Sequence, residues 1–163
     1  MLSSLHSIFL IAALAIAIPA RPAEVRPPQV ALVSNLYQTF AYEAVLEAPD
    51  ARGMIDQPRA VLLRYFTPEL AELLLRDRAC VAKTREICRL DFLPLWGNQD
   101  PDGASVQVGQ GASPTSVIAS LRFAGTSSRL TYTLIQTTRG WRIADIAYGD
   151  GRATLKEILQ TKS

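Results

Sequence analysis

The spacing of apolar residues changes near Leu90, and that change constrains the fold more than any other feature of the chain. Before it, apolar side chains recur every three or four residues, the period of a helix with one buried face. After it, apolar and polar residues alternate in short runs broken by Gly, Ser and Pro, as in antiparallel strands. Helices first and a sheet second predict an α+β fold: three N-terminal helices packed on a curved antiparallel β-sheet, closed by a short C-terminal helix.

From Val30, apolar residues at Val33, Leu36, Tyr37, Phe40, Ala44 and Val45 predict a first helix ending before Pro49. Residues 48–58, with two prolines, Gly53 and two aspartates, read as a loop, and 59–66 as a short apolar helix. Thr67-Pro68-Glu69 opens a third helix: Thr caps, Pro suits the first helical position, and the acid meets the positive dipole end. Its buried stripe is Leu70, Leu73, Leu74 and Val81, and it should end near Lys83. Strands are predicted over 91–95, 105–108, 117–124, 130–137 and 141–148, the last three joined through Gly125-Thr126-Ser127-Ser128 and Thr138-Arg139-Gly140. Val117, Ala119, Leu121 and Phe123 share one face of their strand; Ile118, Ser120, Arg122 and Ala124 share the other. After Gly149-Asp150-Gly151, Thr154 and Glu157 form a capping box for a final helix carrying Leu155, Ile158 and Leu159.

The first 20 residues contain no Lys, Arg, Asp or Glu, and their apolar stretch from Ile8 to Ile18 is too short to span a bilayer. They read as a secretory signal peptide, with cleavage after Ala17, Ala20 or Ala23 left open, and with no Cys nearby for lipid attachment. Periplasmic or secreted localisation follows, with no stable membrane anchor after cleavage. Residues 21–29, with Pro22, Pro27 and Pro28, form a Pro-rich lead-in, and 30–163 form one domain. The segment also contains His6, the sole histidine, so the mature chain has no imidazole for catalysis near neutral pH. Seventeen basic and fifteen acidic residues give a charge of +2, and the local basic excess at Arg76, Arg78, Lys83, Arg85 and Arg89 is interleaved with Asp77 and Glu86. No one-sided basic patch forms, which argues against nucleic acid as a partner.

Cys80 and Cys88 would sit about 12 Å apart on an unbroken helix, whereas a disulfide needs a Cα separation under about 7 Å. In an oxidising compartment the pair is predicted to close, with the helix ending at Thr84-Arg85-Glu86. Two Cys without His make a poor metal site, and no cofactor is expected.

The run from Gly140 to Gly151 (GWRIADIAYGDG) precedes a Thr-Leu helix start. With Phe66-Thr67-Pro68-Glu69-Leu70 and the segment from Asp91 through Gln99-Asp100-Pro101, it resembles a bacterial exported family of unknown function related to small enterobacterial envelope lipoproteins. The resemblance covers about residues 30–159 and implies a nuclear-transport-factor-2-like, or cystatin-like, cone with a long helix in the concavity of the sheet. It also implies an envelope location and brings no established activity. The chain departs from the lipoprotein members in lacking an amino-terminal Cys.

The expected function is therefore an exported envelope binding domain without catalytic machinery, its partner an envelope protein. The alternative is a small-ligand pocket protein or an enzyme of the ketosteroid isomerase or polyketide cyclase type. That reading needs an inward-facing carboxylate of raised pKa beside a donor, which Asp145 with Tyr132 or Tyr148 would supply in a pocket of Tyr37, Phe40, Tyr132, Trp141 and Asp145. An interior filled by Phe40, Tyr37, Leu121 and Trp141 would instead point to the outer surface. No Gly-x-Ser-x-Gly elbow or phosphate loop is present. Asn98, Asp100 and Asp102 before Gly103 begin like a calcium loop, but Gly109 stands where its bidentate Glu is needed. Asp91, Trp96, Asn98, Gln99, Asp100 and Asp102 form the candidate binding surface, with Trp96 either a partner anchor or a core residue.

Overall fold

A computed structural model describes residues 26–44, 52–123, 125–149 and 151–161. The segment 1–20 expected to be a signal peptide, the lead-in to residue 25, Val45, Ala124 and Asp150 lie outside the described residues. The order is α1 (Pro28–Thr39), α2 (Arg59–Tyr65), α3 (Pro68–Thr84), β1 (Ser105–Gln110), β2 (Ser116–Phe123), β3 (Thr126–Thr137), β4 (Gly140–Ala147) and α4 (Leu155–Gln160). The strands form an open antiparallel meander in the order β1-β2-β3-β4, so the α+β class stands.

The caps act as the residue types dictate. Thr67 accepts the Leu70 N–H, and Thr154 and Glu157 form the reciprocal box that starts α4. Helix α1 begins inside the lead-in, because Pro28 occupies a position where a missing N–H costs no hydrogen bond. It stops at Thr39 rather than running on toward Pro49, and the chain continues as a single 3-10 turn, Ala41–Ala44. A second such turn, Met54–Asp56, lies in the predicted loop.

The segment 91–95 is not a strand. Its pairing is one isolated bridge, Leu93 with Asn98, and the Leu93 carbonyl accepts the N–H groups of Trp96 and Gly97. Pro94 has no N–H to give a ladder, and Gly97, at φ +62°, closes the turn where a Cβ would meet the Tyr148 ring at 3.0 Å. Val81, predicted to be buried, is exposed on the last turns of α3, while Asp77, one turn earlier, is buried. The Asp77 carboxylate accepts the Arg89 backbone N–H at 3.0 Å as the chain returns along the helix.

That return is held by the predicted disulfide. Cys80 and Cys88 are bonded with their Cα atoms 6.2 Å apart. The helix ends between them at Arg85, which takes the left-handed conformation and sends its N–H to the Val81 carbonyl.

The core lies between the helices and the inward face of the sheet, where Val117, Ala119, Leu121, Leu130, Tyr132, Leu134, Ile143 and Ile146 are buried. The corner between α2 and α3 covers the β4 edge: Phe66 bridges Ile143, Thr67 N–H bonds the Ile143 carbonyl, and Arg142 donates to the Leu63 carbonyl. At Ile143 the β4 edge is thereby closed to further strand pairing.

Candidate functional site

Four elements bring a chain of polar groups into the middle of the apolar core. Helix α1 supplies Tyr37, the 3-10 turn after it Glu43, the 93–98 turn Leu95 and Trp96, and β3 Tyr132. Tyr132 donates to the Tyr37 hydroxyl at 2.8 Å, and Tyr37 donates to the Leu95 carbonyl at 2.6 Å. Trp96 meets Tyr37 edge-on, with ring centroids 5.4 Å apart, and its Nε1–H donates to Glu43 Oε2 at 3.0 Å. Glu43 Oε1 accepts the Met54 N–H at 2.5 Å. Tyr148 donates to the Pro94 carbonyl at 3.3 Å. Every polar atom in this chain is thus matched, which is the condition for keeping polar groups in a core.

The electrostatics of these groups are those of structural ties. Burial pushes the phenols of Tyr37, Tyr132 and Tyr148 far above the ordinary tyrosine range, so they stay protonated and serve as donors. The direction of the hydrogen bonds ranks two substitutions. Tyr37→Phe strands both the Tyr132 donor and the Leu95 acceptor and should cost about 2 kcal/mol, while Tyr132→Phe leaves one acceptor lone pair unfilled and should cost about 1 kcal/mol or less. Equilibrium urea unfolding of both variants checks this ranking, and the reverse order would refute the assigned direction of the chain.

Burial also raises the Glu43 carboxyl above its usual range, against the lowering effect of the Met54 N–H and Trp96 indole. The folded state therefore holds this proton more tightly than the unfolded state. The resulting stabilisation is full below the unfolded value of 4.5 and is lost as pH rises through the elevated folded value. Wild-type stability should accordingly fall relative to Glu43→Gln between pH 4 and pH 7 in urea titrations, and a gap that stays constant or moves the other way would contradict the assignment.

Asp145 and Tyr132 are not brought together as a catalytic pair, and Tyr148 donates its O–H to the Pro94 carbonyl. Asp145 lies opposite Thr133 in the register and its neighbour Ile146 lies opposite Tyr132, so Asp145 and Tyr132 belong to opposite faces of the sheet. Asp145 Oδ1 accepts the backbone N–H groups of Ile146 and Lys156, which ties β4 to the first turn of α4. Phe40, Tyr37 and Leu121 are buried side chains that fill the interior, and Trp141 is half-buried at the margin of the core.

The candidate binding surface also divides. Trp96 is 2% exposed and belongs to the core. Asp91, Asn98, Gln99, Asp100 and Asp102 are exposed, and Asn98 Oδ1 accepts the Asp100 N–H at 3.3 Å as a turn would require. Among the described residues no group of three or more His, Cys, Asp or Glu is arranged to hold a metal ion.

A hollow of about 520 Å³ lies on the solvent face of the sheet, outside the sites expected from the sequence. Three strands build it in rows. Ser105, Arg122 and Ser127 form one row across β1, β2 and β3; Gln107, Ser120 and Arg129 form the next. Short hydroxyl side chains make the floor, and the long arginines stand beside them. The signal in the sequence was the outward alternation Ser120-x-Arg122, continued by Ser127-x-Arg129-x-Thr131. What alternation alone does not fix is the register that sets these runs side by side.

Neither a protein-family model, a curated protein nor a solved structure matches this chain.

Proposed function

We propose that the chain is an exported binding module of the bacterial cell envelope and that the solvent face of its sheet is the working surface. The observation that carries this reading is the occupied interior: Tyr37, Phe40, Leu121 and Tyr132 fill the space where a cone-type enzyme would hold its substrate. The carboxylate that such an enzyme would need, Asp145, is bound to two backbone N–H groups on the other face. The Cys80–Cys88 disulfide supports an oxidising compartment, and among the described residues no helix is long and apolar enough to cross a membrane. Export rests on the N-terminal segment, and the envelope rests on the family resemblance read from the sequence.

A photo-crosslinking side chain placed at Gln107, on the sheet face, and at Arg76, on the exposed side of α3, tests the surface in cells exporting the protein. Adducts from position 107 and none from 76 are expected. Adducts from 76 alone would contradict the proposal.

A further inference from the structure

We propose that the hollow on the sheet face binds a small acidic sugar, a hydroxyl-rich ligand bearing one oxyanion, through Arg122 and Arg129. This inference rests on the sheet face being the working surface and adds the chemistry of its ligand. The register fixes the arrangement. Arg122 sits between Ser105 and Ser127, and Arg129 sits beside Ser120 in the adjoining row, so the two arginines are diagonal neighbours on adjacent strands. Diagonal cross-strand positions are about 7–8 Å apart, which lets two guanidinium groups converge on one oxyanion. Among the described residues no Asp or Glu lines the hollow, and neither arginine takes part in an ion pair. Two like charges side by side without a counter-charge repel each other, and an anion between them removes that cost.

The rest of the lining selects the ligand class. Ser105, Ser120, Ser127 and Thr131 offer hydroxyls, and Gln107 an amide, each able both to donate and to accept. That matches the alternating donors and acceptors of a sugar ring better than an apolar molecule. A stacked base is disfavoured because the one aromatic among the described lining residues, Tyr148, is 3% exposed and hydrogen-bonded inward. The volume of about 520 Å³ falls in the range of small-molecule sites.

Amide NMR titrations of the disulfide-bonded protein with glucose 6-phosphate, glucuronate and glucose test the proposal. Saturable shifts at Ser120, Arg122, Ser127 and Arg129 are expected with at least one of the two acidic sugars, the stronger binder telling phosphate from carboxylate, and not with glucose. Arg122→Gln and Arg129→Gln should each weaken that binding about tenfold or more while leaving the amide spectrum of the core unchanged. No saturable shift with either anion, or equal response to glucose, would overturn the ligand class. That failure is separate from failure of the surface itself, which is read by the adducts from position 107.

Discussion

Trp96→Ala should lower the unfolding free energy by about 3–5 kcal/mol, the cost of removing a large aromatic from a packed core. Trp96 sits in the turn after the helical region, packs edge-on against Tyr37, and gives its indole N–H to Glu43. Truncation opens a cavity beside Tyr37 and takes one of the two protein donors from the Glu43 carboxylate, so transfer and hydrogen-bond losses add. Urea unfolding should show a lower midpoint with little change in slope. A loss within about 0.5 kcal/mol would instead mark Trp96 as a surface anchor, as expected for residues outside the core.

Removing the disulfide by Cys80→Ser with Cys88→Ser should cost roughly 2–3 kcal/mol, the chain-entropy value for so short a loop. The thermal midpoint should fall by about 10 °C for a domain of this size. The bridge fixes the turn at Arg85 and brings Arg89 back along α3, where its N–H meets the buried Asp77 carboxylate. Calorimetry of the double variant checks this. A midpoint within about 2 °C of wild type would show that the return along α3 holds without the bridge.

The elements legible in the sequence are those specified locally. Thr67 and the Thr154/Glu157 pair act within four residues of themselves, and the alternation of Val117, Ala119 and Leu121 needs only the pleat. The disulfide was legible from the expected oxidising compartment, and the helix end between the cysteines followed from it, because helix rise forbids the bridge on an unbroken helix. What stayed hidden depends on distant partners. Trp96 finds Glu43 across 53 residues, and Tyr132 finds Tyr37 across 95. Helical period placed Val81 inside, but burial on α3 is decided by what packs against it, and the returning chain buries Asp77 instead. Asp145 shows the same limit. Its residue type suits catalysis, but a bulge between Thr133 and Leu134 and the docking of α4 determine its neighbours. The rows of the sheet hollow likewise appear only once β1, β2 and β3 are set in register.

The claim on which the functional reading depends is that the interior is a filled core and not a ligand pocket. Amide NMR under xenon pressure tests it directly, since xenon enters dry apolar cavities that water leaves empty. Wild-type protein should show no saturable shifts at Tyr37, Phe40, Leu121 or Tyr132, while Leu121→Ala, which opens an apolar cavity in the same core, should show them and so demonstrate that the probe reaches the site. Saturable xenon shifts at these residues in the wild type would contradict the account and return the small-ligand pocket to first place.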